Sequence, residues 1–159
     1  TIADRAVNPL QGLRVAPYYG CQMSRPYSTF DDPEFPMTMD HLFARLGAEV
    51  VPFPLKARCC GGMLMSTNEE IALRLVRELL ACAVEHGAQV IATACPLCHI
   101  NLEAYQGQVN ARFGDHYALP IVYFTQLVGV ALGLSKKDLG IGMELVPTEK
   151  VFARYKLAA

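Results

Sequence analysis

The chain reads as an α/β domain: a parallel four-stranded sheet flanked by helices. Three observations support this. Four short runs rich in β-branched and aliphatic residues alternate with stretches of helical periodicity, the order expected of a parallel sheet. The 159 residues are 52% hydrophobic, enough for one domain with a real core. Only 18% are charged, which suits buried strands or a face covered by a partner.

"GLRVAPYYG" (residues 12–20) reads as a buried strand entering a glycine turn. "YSTFDDPEFP" is a loop rich in Asp and Pro. "TMDHLFARLGA" is a helix whose apolar residues are Leu42, Phe43 and Leu46, stopped by Gly47. "EVVPFP" (49–54) is a second strand, ended by prolines. A long helix follows "CCGG": Ser66 and Glu69 fit a capping box. Ala72, Leu75, Val76, Leu79, Leu80 and Ala83 form its apolar stripe, and Gly87 is its stop. "QVIATA" (89–94) is the third strand. "PLCHINLEAYQGQVNARF" is one helix with Pro96 at its first position. "PIVYF" is the fourth strand, and a short apolar helix lies near "TQLVGVALGL". The sequence is thus divided into a linker-like segment (1–11), the domain (12–134) and a tail of undefined structure (135–159). The linker-like start at Thr1 suggests a fragment of something longer.

Several function classes are disfavoured. Net charge is -1 with no basic stripe, so nucleic acid is not an expected partner. The longest apolar run, "IVYFTQLVGVALGL", contains Thr125 and Gln126 and is too short for a membrane span. No signal peptide opens the sequence, and the expected compartment is cytoplasmic.

The chemistry lies in six cysteines: Cys21, Cys59, Cys60, Cys82, Cys95 and Cys98. Cys21 follows the first strand, Cys59 and Cys60 follow the second, and Cys95 ends the third. Cys98 falls in the first turn of the next helix. In parallel sheets the carboxyl ends of the strands gather ligands, and all five of these cysteines fall there. Cys82 sits mid-helix and reads as a core thiol. Clustered thiolates select zinc or iron–sulfur clusters. Gly61 and Gly62 let the backbone bend sharply and leave room for a bulky inorganic core. Lys56, Arg58 and Arg25 are candidates for offsetting thiolate charge or holding an anionic substrate. His99 is a candidate proton donor to a departing thiolate. Tyr18 and Tyr19 are candidate pocket walls, of which one must face elsewhere. Met63 and Met65 read as core filler. "CPLC" alone would also fit a thioredoxin-like dithiol exchanger using Cys95 and Cys98, and four cysteines would suffice for a structural zinc site.

The cysteine pattern, with "APYYGC", "CCGG" and "ACPLC", resembles the cysteine-rich CCG domain, most closely the carboxyl-terminal domain of the B-type subunit of heterodisulfide reductase. The resemblance covers roughly residues 12–134, with Cys21, Cys59, Cys60, Cys95 and Cys98 in register. It implies an oxidoreductase acting on sulfur groups, with a non-cubane 4Fe-4S cluster held by these five cysteines. It implies two such clusters facing each other across a disulfide, which is cleaved in two one-electron steps. The parent reaction reduces the mixed disulfide of coenzyme M and coenzyme B, and related proteins serve sulfur oxidation and quinone-linked electron transfer. The implied partners are a second CCG domain or chain, an electron-donating iron–sulfur subunit and a small disulfide or thiol substrate. Family members usually carry two such domains and this sequence carries one, so the chain is expected to be incomplete as a catalyst. Zinc remains the alternative metal. The loop "YSTFDDPEFPM" and residues 121–134 are candidate docking surfaces.

Overall fold

A computed structural model describes residues 1–25, 29, 31–155 and 157. Its centre is a sheet of four strands, β1 (Arg14–Tyr18), β2 (Glu49–Val50), β3 (Val90–Thr93) and β4 (Ile121–Tyr123). They run in the order β2-β1-β3-β4, and every pair is parallel. The second strand is shorter than its sequence suggests. The Val51 N–H still reaches the Val15 carbonyl, but Pro52 has no N–H to continue the ladder.

The helices follow in chain order: α1 (Gly20–Ser24), α2 (Thr38–Arg45), α3 (Glu69–Glu85), α4 (Pro96–Ala104), α5 (Gln106–Phe113), α6 (Phe124–Ala131), α7 (Lys136–Leu139) and α8 (Glu149–Phe152). Strand side chains alternate between two apolar layers, as the period of two requires. Ala16, Tyr18, Ile91 and Ile121 face α3, α4 and α5, against Val76, Leu79, Leu80, Leu102 and Val109. Val15, Val90, Ala92 and Val122 face α2, α6 and α8, against Phe43, Leu127, Val130 and Phe152. Packing continues outside residues 12–134: Leu10 is fully buried, and Val151 and Phe152 join the second layer.

Three local expectations need correction. The cap of α3 is Asn68, whose side chain accepts from the Ile71 N–H; Ser66 lies two residues too early, so there is no Ser66–Glu69 capping box. The long helix from Pro96 breaks at Tyr105 into α4 and α5. There the buried Gln106 side chain binds the Leu102 and Leu119 carbonyls and accepts from the Leu119 N–H, tying the break to the approach of β4. The run 121–134 is mostly core, since Ile121, Val122, Leu127, Val130 and Ala131 are buried; Thr125 and Leu134 are exposed but form no continuous apolar face, which removes the run as a docking surface. The other candidate docking surface includes Tyr27, Ser28 and Phe30, which lie outside the described residues.

Candidate functional site

Chain progression reverses after β2, and the connecting helices change face with it. β1 and β3 are therefore neighbours whose crossovers leave in opposite directions. The carboxyl ends of such a pair bound a natural crevice. The residues after β1 include Cys21 in the first turn of α1, and those after β3 include Cys95 and Cys98 at the start of α4. The long loop after β2 brings Cys59 and Cys60 to the same edge.

Cys60 and Cys98 are buried, with their Sγ atoms 3.5 Å apart. The hydrogen bond with Cys98, together with the Gly62 N–H, pulls the Cys60 pKa down against the opposing effect of burial. Cys98 is correspondingly pushed up, by Cys60 first and by burial second, and it also interacts with Cys95. Cys21 is raised by burial, then by the neighbouring Cys59 and Cys60. Cys59 is exposed and accepts the Gly61 N–H at 3.3 Å, so the pocket opens at this sulfur. Tyr18 forms the floor: burial raises its pKa, and Cys98, Cys60, Cys59 and Cys21 all add to the effect. Its hydroxyl donates to the Arg58 carbonyl at 2.6 Å. All five sulfurs thus belong to one continuous thiol network.

Glycine permits this closeness. At Gly20, φ is +65° and a Cβ would stand 3.0 Å from Cys98 Sγ. At Gly61, φ is +76° and a Cβ would meet Leu75 at 2.9 Å, so the loop lies flat on α3. The Cys60 carbonyl is anchored separately by the Asn101 side-chain amide of α4, at 2.8 Å.

The donor set is five soft thiols, a type that binds zinc or iron–sulfur clusters. They come from three loops, yet among the described residues no three Cys, His, Asp or Glu side chains are arranged to hold a single metal ion. A multinuclear group asks for no such focus, because different cysteines bind different atoms of it. Cys21, Cys59, Cys60, Cys95 and Cys98 are the residues that could hold such a group.

The surrounding side chains revise the sequence reading. Lys56 does not face the sulfurs; it is only 2% exposed and pairs with Asp40 at 3.0 Å. Arg58 pairs with Glu78, and Arg25 with Glu34. Each of the three expected cations is therefore engaged by a carboxylate. Tyr18 and Tyr19 split as strand geometry demands: Tyr19 points into the opposite layer and its hydroxyl donates to Asp40 at 2.7 Å. Met65 packs against the core, but Met63 is 75% exposed beside the glycines and fills nothing. Cys82 is buried within α3, where burial raises its pKa.

His99 stacks on Tyr123, with ring centroids 4.3 Å apart, and its Nε2 lies 3.4 Å from Glu103. Burial is the main influence and lowers its pKa, while Glu103 opposes the shift. Tyr123 in turn feels Cys95, so this stack adjoins the thiol pocket. Sequence reasoning missed Glu103, Tyr123 and Glu144, which with His99 line a cavity of about 520 Å³. The spacing of His99 and Glu103, four residues apart on a helix, was the available signal for that pair.

Three comparisons bear on these features. The chain is 34% identical over 152 residues to the B-type subunit of the ferredoxin:CoB-CoM heterodisulfide reductase of Methanosarcina mazei, covering 92% of this chain and 51% of that protein. It is 30% identical over 152 residues to the 8-methylmenaquinol:fumarate reductase membrane anchor subunit of Wolinella succinogenes, covering 94% and 54%. The chain spans about half the length of these relatives. In fold it is similar to a hypothetical protein from Helicobacter pylori, with TM-score 0.70, 17% identity, and coverage of 89% of this chain and 26% of that one. No helix among the described residues is long and apolar enough to cross a membrane. The family model "cysteine-rich domain" (CCG) matches residues 15–103, a span that holds every sulfur of the pocket, and the chain belongs to that family.

Proposed function

We propose that this chain is the iron–sulfur domain of a heterodisulfide reductase-like complex. In this reading Cys21, Cys59, Cys60, Cys95 and Cys98 hold a non-cubane 4Fe-4S cluster, and the complex reduces a small disulfide or moves electrons between thiol and disulfide. The observation that carries the proposal is the meeting of five thiols from three loops at the β1/β3 crevice. The similarity to a heterodisulfide reductase of Methanosarcina mazei supports the substrate class. When bound, such a cluster supplies electrons one at a time to a sulfur–sulfur bond. The chain's own residues hold it, exclude water beneath it with Tyr18, and leave one open side at the exposed Cys59.

His99 is assigned the proton that a departing thiolate needs. Burial favours its neutral form, so it serves as a relay paired with Glu103 rather than as a standing store of protons.

One observation favours a second reading. The Cys60–Cys98 contact places two sulfurs 3.5 Å apart, with Cys98 holding the Cys60 pKa down, as a metal-free dithiol exchanger requires. That pair differs from Cys95 and Cys98, on which a thioredoxin-like reading of the sequence rests.

Anaerobic purification with iron, sulfide and zinc analysis, followed by EPR of oxidised and reduced protein, distinguishes the readings. The expected result is a brown protein with iron and sulfide in equal amounts, lost when Cys21 or Cys59 is replaced by Ala. A colourless, zinc-loaded protein identifies a structural zinc site, and exchange activity without metal identifies the dithiol exchanger. His99→Asn should slow disulfide reduction by the complete complex and leave iron content intact; unchanged turnover removes the relay role.

A further inference from the structure

A closed ring of three residues lies just behind the thiol pocket. Tyr19 follows β1, Asp40 lies in α2, and Lys56 lies in the loop after β2. The Tyr19 hydroxyl donates to Asp40 Oδ2 at 2.7 Å. Lys56 Nζ donates to Asp40 Oδ1 at 3.0 Å. The Lys56 carbonyl closes the ring by accepting the Tyr19 N–H at 2.9 Å, and it accepts the Gly20 N–H at the same distance. Gly20 directly precedes Cys21, and Lys56 stands three residues before Cys59. The ring therefore ties together the two loops that bring Cys21 and Cys59 to the pocket.

The Lys56 ammonium is enclosed further. Met37 Sδ accepts from it at 3.1 Å, and the Phe35 ring lies 4.1 Å below it. A buried ion pair of this kind is weak as a source of stability but effective at fixing register. Here the register is that of the Cys21 loop against the Cys59 loop. The Cys60–Cys98 contact depends on a different anchor, the Asn101 amide.

We infer that Lys56 and Asp40 are positioning residues that set the separation of Cys21 from Cys59. The inference rests on the reading of the five cysteines as one centre. It assigns Lys56 a role that its place beside "CCGG" would not suggest: it acts through its carbonyl and its buried charge, without touching the sulfurs.

The test uses the whole chain without metal. Phenylarsine oxide condenses with two nearby thiols, releasing water, and peptide mass mapping shows which cysteines it bridges. Wild-type protein should yield both Cys21–Cys59 and Cys60–Cys98 bridges. In Lys56→Met the rate of Cys21–Cys59 bridging should fall by up to about 100-fold, the cost of misplacing reacting groups by about 1 Å, while Cys60–Cys98 persists. The double variant Asp40→Asn/Lys56→Met removes both charges, guards against unfolding from a lone buried carboxylate, and should lose the same bridge. Tyr19→Phe should weaken it less. Equal rates of Cys21–Cys59 bridging in wild type and in the folded double variant would overturn the inference. Failure of wild-type protein to bridge Cys21 to Cys59 would instead overturn the one-centre reading, and the inference with it.

Discussion

At the scale of single residues, chemistry at this site is decided by which neighbour each side chain finds. Cys82 and Cys98 are both buried thiols on helices, yet only Cys98 meets other sulfurs. Cys82 packs among apolar residues such as Leu79, Leu80 and Ala83 and behaves as a small hydrophobe. Cys82→Ala is expected to cost about 1 kcal/mol of stability and leave iron content unchanged. Iron analysis of the folded variant checks this, and loss of iron would make Cys82 a ligand. The cysteines were legible in the sequence because strand ends announce themselves. Lys56 was not: its position beside the thiols is clear, but nothing local reveals that its side chain turns away to meet Asp40. Removing that cation alone leaves Asp40 buried without its partner, a loss of roughly 3–5 kcal/mol in comparable buried pairs.

At the scale of elements, the termini of helices explain most differences from the sequence reading. Strand positions, the long α3 and the split of Tyr18 from Tyr19 follow from periodicity alone. Caps do not, because several nearby side chains compete for the same N–H groups: Asn68 serves α3 where Ser66 also looked suitable. The start of α2 is held by Asp31, six residues before Met37. Its carboxylate accepts the Met37 N–H at 2.9 Å and the Thr38 N–H at 2.7 Å. Partial burial works against ionisation here, but the hydrogen bonds from Thr38, Met37 and Asp32 prevail and lower the pKa from 3.8 to about 2. A folded pKa below the unfolded value means stability present above pH 3.8 and lost as pH falls through about 2. Asp31→Ala should therefore lower stability by about 1 kcal/mol near neutral pH. Melting curves of the two proteins should converge as pH approaches 2. A gap that stays constant down to that pH would show that the carboxylate charge is irrelevant to the start of α2.

For the molecule as a whole, the parallel sheet and its two apolar layers were legible in the order of elements. The contributions of both ends were not, since neither segment has a strong period of its own. Leu10, Val151 and Phe152 are ordered by the surface they cover. The chain spans about half the length of its curated relatives, and it carries one set of five pocket cysteines. Cleaving a disulfide takes two electrons. Under the proposed function, the chain alone is expected to bind iron and sulfide yet reduce disulfides slowly with a chemical reductant, and to speed up when a companion cysteine-rich domain is supplied. Rapid turnover by the isolated chain, at a rate the companion does not raise, would show that one centre suffices.

The strand order also has a consequence for how the protein is made. β3 comes late in the chain but sits beside β1, between it and β4. A nascent chain emerged only through α3 carries Cys21, Cys59 and Cys60 and lacks both Cys95 and Cys98. Until β3 inserts, one edge of β1 has no partner and the three early sulfurs have no opposite wall. The pocket is thus closed by a long-range pairing event. Under the proposed function, loading of a centre at these cysteines is expected only after the sheet is complete, on a folded cavity rather than on a nascent peptide.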